Sequence, residues 1–170
     1  MNFIQNKVSE IVNKKQQKII PKIIIVTKTF SMDSIKPLLD AGHIHFGENK
    51  VQEAESKWSK IKVSHNNIKL HMIGKLQTNK AKKAVKIFDY IHSLDNDKLA
   101  SKLAHYVKEL NKKIKFFIQV NIGKEEQKSG VMLNEINSFY SYCTEELHLE
   151  VIGLMCIPPI NIDAENHFKI

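Results

Sequence analysis

The side chain best suited to chemistry in this sequence is the amine of Lys28, which ends the apolar run at residues 22–28. An ammonium group is costly to bury, so a lysine in such a place is either a paired charge or a reactive group. Desolvation lowers the pKa of a lysine amine, and the neutral amine attacks carbonyl carbons. In an extended strand, Lys28 shares a face with Ile24 and Val26. Two interpretations stay open: a nucleophile at the mouth of a sheet, or a lysine whose charge reaches solvent.

Histidines offer a second kind of chemistry. The sequence HIH places His43 and His45 on one strand face, as in metal-dependent hydrolases, and His71 and His92 are candidates for further ligands. Such a site also needs a carboxylate after a late strand, and no suitable aspartate is available there. The HIH sequence also begins a strand instead of ending one. We therefore expect no metal site.

The elements that position these residues alternate along the chain. Amphipathic segments typical of helices, such as residues 31–42 and 95–110, separate short apolar runs at residues 22–28, 43–46, 69–73, 89–92, 114–121 and 148–156. Repeated strand–helix units predict parallel strands flanked by helices. No G-x-G-x-x-G follows the first strand and GKLQTNK lacks the P-loop spacing, so a nucleotide-binding doubly wound sheet has no support. We predict a β/α barrel, with its site at the carboxyl ends of the strands.

Composition narrows the class of protein. A chain of 170 residues that is 42% hydrophobic is long enough for one domain with its own core. Its apolar runs are too short to cross a bilayer, and its first residues do not resemble a secretory signal. Cys143 and Cys156 form no metal motif, and reduced thiols predict a cytoplasmic protein. The net charge is +8, but all 26 basic residues are lysine, so the forked contacts of arginine to bases are missing and nucleic-acid binding is not expected.

A series of linked motifs carries a more specific signal. IIIVTKTF, AGHIHFGENKVQEAESKW, LHMIGKLQTNKAKKAV, FFIQVNIGKEEQKSGV and VIGLMCIPP follow one another in order between about residue 20 and residue 160. Together they resemble the pyridoxal phosphate homeostasis proteins, single-domain relatives of the alanine racemase barrel. The resemblance implies an α/β fold: a parallel β/α barrel of the alanine racemase type over residues 1–170, in which residues 1–20 form an N-terminal helix.

The same resemblance implies a cofactor and its ligands. Pyridoxal 5′-phosphate (PLP) would be held as a Schiff base on Lys28, without robust catalysis, in a protein that stores PLP or delivers it to PLP-dependent apoenzymes. Asn49 would reach the cofactor or else cap the next helix. His71 and Met155 would line the pocket, or else be core residues. Lys128 is either a transient amine or a solvated charge.

The sequence also departs from the family pattern. Thr27 replaces the usual serine. The residues after Lys28, often Thr-Lys-Pro in the family, are Thr29, Phe30 and Ser31, so a second lysine that is common there is missing. The chain ends after about six of eight strand–helix units, without strands seven and eight or the Ser-Met-Gly-Met segment and arginine that hold the phosphate in the family. We therefore expect weaker phosphate-dependent affinity and a monomer or weak self-association through exposed barrel edges. The alternatives are a racemase-like PLP enzyme, which would lack the tyrosine of a second domain, or an inactive truncated fragment.

Overall fold

The computed structural model describes residues 2–123 and 129–158. Within them six parallel strands alternate with helices. The elements are α1 (Asn2–Lys14), β1 (Ile25–Val26), α2 (Met32–Asp40), β2 (His45–Glu48), α3 (Val51–Ser64), β3 (Lys69–Met72), α4 (Ala81–Ile87), β4 (Tyr90–Leu94), α5 (Asp97–Glu109), β5 (Lys115–Gln119), α6 (Ile136–Ser141) and β6 (Glu150–Met155). Short 3₁₀ turns precede α4 and α6, and a π-helical turn follows α6.

The order of the strands distinguishes a barrel from a doubly wound sheet. The six strands lie side by side in the order in which they occur in the sequence, and every neighbouring pair is parallel. Because strand–helix–strand crossovers share one hand, a constant direction of travel puts the helices on one face of the sheet. A doubly wound sheet would reverse direction at a switch point. The sheet is therefore an arc of a β/α barrel, with β1 and β6 at its two edges.

Local sequence signals set the helix ends. Ser31 occupies the N-cap position of α2, and Gly42, with φ of +83°, follows its end, so the segment predicted at residues 31–42 is confirmed. Asn96 caps α5 by accepting a hydrogen bond from the Leu99 amide at 2.9 Å. The first helix stops at Lys14, well short of residue 20, and Gln16 then takes the left-handed conformation.

The core lies between the sheet and the helices that cover one of its faces. In β2 to β5, alternate strand residues point toward the helices and are buried, whereas their neighbours face the inner side of the arc. The largest fully buried side chains are Trp58, Phe46, Phe116, Ile35, Ile68, Leu70, Met72, Ile91, Leu94, Leu99, Leu103 and Ile118. Each described helix is too short or too polar to span a bilayer.

The first strand is shorter than the apolar run that predicted it. Only Ile25 and Val26 pair with β2, and a turn follows in which the Phe30 amide donates to the Thr27 carbonyl. In the described part of the chain β1 is an edge strand, with a hydrogen-bonded neighbour on one side only. The strand predicted to end at Lys28 therefore ends two residues earlier, at Val26.

Candidate functional site at the strand ends

The Lys28 side chain is exposed, in the turn that immediately follows β1. Thr27 is buried and Val26 is 45% exposed, so the side chains around Lys28 alternate between the helix side and the open inner side. The sequence predicted partial desolvation of this amine. The structure leaves it exposed because the described strands form an open arc, and no strand flanks β1 on its outer edge.

A buried carboxylate lies directly behind this turn. One oxygen of Glu48, at the end of β2, accepts hydrogen bonds from the Thr27 hydroxyl at 2.8 Å and from the Trp58 indole at 3.0 Å. The same oxygen lies 2.8 Å from the Lys57 ammonium. Glu48 is fully buried, so these three donors compensate a charge that would otherwise be very unfavourable.

The Lys57 ammonium connects helix α3 to the turn. It donates to the Thr27 carbonyl at 2.7 Å and the Phe30 carbonyl at 3.1 Å, and it pairs with Glu53 at 2.8 Å. Burial alone would lower the pKa of this ammonium, but its hydrogen bonds to Glu48 and Glu53 raise the pKa above its ordinary value. The hydrogen bond from Lys57, partly opposed by burial, lowers the pKa of the Glu53 carboxyl.

Three histidines form a continuous ladder on the inner face of the sheet. His45, His71 and His92 come from β2, β3 and β4, and the ring nitrogens of successive members lie 2.9 Å apart. Tyr90 stacks on His71 and Phe117 stacks on His92, each at 4.3 Å between ring centroids. The rings of His71 and His92 therefore pack face to face with aromatic neighbours, while the ring nitrogens of all three histidines bind one another along the row.

The histidine ladder is held in the neutral form. Burial, reinforced by the neighbouring imidazoles, lowers the pKa of His71 from 6.5 to about 3. Burial lowers the pKa of His92 to about 4. Burial and then the nearby ammonium groups of Lys22 and Lys69 also lower the pKa of His45. A neutral imidazole has one donor and one acceptor, which is what each step of the ladder requires.

This arrangement differs from a metal centre. The ring nitrogens of His45, His71 and His92 point at each other instead of converging on one point, and His43 lies before β2 begins. Across residues 2–123 and 129–158, no group of three or more His, Cys, Asp or Glu side chains is placed to hold a metal ion. Both ring nitrogens of His71 are engaged in the ladder, so a contact to a cofactor would have to use its ring carbons.

Asn49 directly follows β2. Val26 of β1 is paired with Gly47 of β2, and Lys28 and Asn49 come two residues after these partners, so the two residues leave neighbouring strands at the same level. Lys50, not Asn49, is the N-cap of α3, so the helix-capping alternative for Asn49 is wrong. The Asn49 backbone instead packs against Gly74, where an added Cβ would lie 2.5 Å from the Asn49 carbonyl oxygen. Gly74 thus permits the strand ends of β2 and β3 to approach.

Met155 ends the last strand, in register with Gln119 of β5 and on the half-buried side of β6. It therefore lies at the opposite edge of the sheet from β1. Lys128 lies outside the described residues.

The sequence did not predict the roles of Glu48, Glu53, Lys57 and Trp58. The available signal was the spacing of Glu53 and Lys57, four residues apart on a helix that directly follows FGEN.

Comparison with known proteins shows the family to which this chain belongs. Residues 3–168 match the family described as alanine racemase, N-terminal domain. The pyridoxal phosphate homeostasis protein of Haemophilus influenzae is 33% identical over 175 residues, which cover 99% of this chain and 73% of that protein. The chain belongs to the pyridoxal phosphate homeostasis protein family. The resemblance seen in the linked motifs is confirmed.

Two further members of this family define the extent of the match. The Synechocystis pyridoxal phosphate homeostasis protein is 36% identical over 141 residues, and the match spans 83% of this chain and 64% of that protein's length. PipY of Synechococcus elongatus, solved with PLP bound, is 32% identical with a TM-score of 0.76, over 94% of this chain and 74% of PipY. The predicted fold class, a partial barrel of the alanine racemase type, is confirmed.

Proposed function

We propose that this family member binds PLP at Lys28 and takes part in intracellular PLP homeostasis without robust catalysis of its own. The observation that carries the proposal is the exposed amine of Lys28 at the carboxyl end of the first strand, in a fold shared with a relative solved with PLP bound. Asn49, directly after the next strand, is the proposed second contact. His71 and Met155 are proposed to line the inner face, as members of the same sheet.

The chemistry fits the residues present at the aldehyde end of the cofactor. PLP would supply an electrophilic aldehyde, and the Lys28 amine is the group that would hold it, by a C=N bond whose formation releases the carbonyl oxygen as water. The phosphate end fits less well, because the 170 residues contain no arginine to pair with a phosphate group. We propose that the covalent linkage contributes most of the affinity and the phosphate contributes little.

Trapping experiments test the assignment of Lys28. We expect PLP followed by borohydride to label Lys28 in preference to the other lysines, as read by peptide mass mapping. Lys28→Ala should reduce the imine absorbance to about a tenth or less, because the nucleophile is gone. Lys36→Ala, which removes an exposed lysine from α2, is the matched control and should bind as the unmodified chain does. Uniform labelling of many lysines would overturn the site.

Comparing PLP with pyridoxal tests the proposed role of the phosphate. If the phosphate contributes little, the two aldehydes should bind within about tenfold of each other, which corresponds to about 1.4 kcal/mol. A much tighter interaction with PLP would show that the described strand ends, or residues beyond them, hold the phosphate. The delivery of PLP to apoenzymes and a cytoplasmic location are parts of the same proposal.

Self-association through the last strand is the proposed consequence of its exposed apolar face. Leu154 is in register with the buried Ile118, yet it is 55% exposed because no described helix covers it. Ile152 and Ile157 are also exposed. We expect sedimentation velocity to show concentration-dependent dimerisation that Leu154→Lys weakens, whereas Val63→Lys, at an exposed residue of α3, leaves it unchanged. A monomer at all concentrations would contradict this.

A further inference from the structure

The turn that carries Lys28 has an unusual backbone. Thr29, directly after Lys28, adopts φ of +67°. Left-handed conformations are rare for β-branched residues, and they persist where the surrounding structure holds them in place. The contacts that hold this turn therefore decide where the Lys28 backbone, and with it the amine, is placed.

Three side chains from β2 and α3 supply these contacts, and we call Glu48, Glu53 and Lys57 the Lys57 clamp. Glu53 accepts a hydrogen bond from the Thr29 amide. Glu48 accepts one from the Thr27 hydroxyl. The Lys57 ammonium bonds to the carbonyls of Thr27 and Phe30. The peptide groups on both sides of Lys28 are thus tied to the clamp.

Charge and burial make the clamp stiff. The Lys57 side chain is only 12% exposed, and two carboxylates and two carbonyls surround its ammonium within 3.1 Å. Charge-assisted hydrogen bonds in a place screened from water are stronger than those between neutral groups. The Glu48 carboxylate, in turn, is fixed from behind by Trp58.

We propose that Glu48, Glu53 and Lys57 are positioning residues that hold the Lys28 amine where it meets the aldehyde of its ligand. The inference rests on the proposed function, since it assigns these residues to the same site. None of the three needs to touch the ligand. Their effect passes through the backbone of residues 27–30, and small displacements of a reacting group cost large factors in rate.

The test uses variants at the exposed end of the clamp, where folding is least at risk. Glu53→Ala removes the acceptor for the Thr29 amide, and Glu53→Gln keeps an acceptor oxygen without the charge. Glu55→Ala is the matched control, because Glu55 lies on the same helix and pairs only with Lys83 at the surface in the described part of the chain. Lys57→Met tests the centre of the clamp, with circular dichroism to verify that it folds.

Two measurements separate positioning from general stability. We expect Glu53→Ala and Lys57→Met to slow Lys28 labelling by pyridoxal by about 10- to 100-fold, with Glu53→Gln in between and Glu55→Ala unchanged. Amide hydrogen exchange should rise at residues 27–30 and not in the rest of the sheet. Using pyridoxal makes the result independent of any phosphate site.

The outcomes distinguish this inference from the function on which it rests. If the unmodified chain forms the adduct at Lys28 and the clamp variants react at the same rate, the clamp has no positioning role and only this inference is overturned. Slower reaction with hydrogen exchange raised over the whole sheet would likewise overturn it, as a purely structural effect. If the unmodified chain forms no adduct at Lys28, the proposed function and the inference are both wrong.

Discussion

Lowering the pH from about 7.5 to about 5 is expected to reduce the free energy of unfolding by about 4 kcal/mol, through the histidine ladder. In the unfolded chain His71 and His92 take up protons near pH 6.5, whereas the fold holds their pKa at about 3 and about 4. As the pH falls below 6.5, the unfolded state therefore binds protons that the folded state does not. Each imidazole contributes about 2 kcal/mol of this loss at pH 5.

The window for this measurement lies above the ordinary pKa range of carboxyl groups, although burial raises the pKa of the Asp95 carboxyl. Stability should be fully present above about pH 7 and should fall steadily between pH 6.5 and pH 5. Urea unfolding at a series of pH values gives the slope directly. A chain equally stable at both ends of the window would contradict the neutral, buried ladder.

Two variants assign the effect to particular histidines. His92→Gln removes the last titrating member of the ladder while keeping a polar group near His71, so about half of the pH dependence should disappear. His105→Gln is the matched control, because His105 is an exposed residue of α5 beside Glu109 and should leave the slope unchanged. A slope that disappears with His105→Gln would place the titrating group elsewhere.

Trp58→Ala is expected to destabilise the protein by about 3–5 kcal/mol, a large fraction of the stability of about 5–15 kcal/mol that is typical of a domain. Trp58 is fully buried against Phe46, with ring centroids 4.8 Å apart, and its indole donates to the buried Glu48 carboxylate. The substitution leaves a cavity and also removes one donor from a charge that needs all of its partners. Circular dichroism with urea titration gives the loss.

A smaller change separates the two contributions. Trp58→Phe keeps much of the ring but lacks the N–H group, and we expect it to cost about 1–3 kcal/mol, mainly from the Glu48 hydrogen bond. Phe3→Ala provides the aromatic control, since Phe3 is 73% exposed and its loss should change stability by less than about 0.5 kcal/mol. Equal effects of Trp58→Ala and Phe3→Ala would show that Trp58 contributes little to the core.

The pattern of apolar and amphipathic segments along the sequence was sufficient to predict the architecture. The alternation of apolar runs and amphipathic segments predicted the strand–helix repeat, and the residues around α2 predicted where that helix begins and ends. These signals are readable because secondary structure and its caps depend on residues close together in the chain. The missing glycine motif correctly disfavoured a doubly wound sheet, and the order of the strands confirmed the barrel arc.

The sequence by itself also identified Lys28 as a candidate, because a charged side chain at the end of an apolar run is unusual and can be recognised without knowing where the strand lies in the sheet. It did not predict the Lys57 clamp or the histidine ladder. Glu48 and Lys57 meet Thr27 and Phe30 across more than 20 residues of sequence, and His45, His71 and His92 meet only through the register of three strands. Tertiary structure decided these contacts, since register and the direction of each side chain determine which distant groups come within hydrogen-bonding distance.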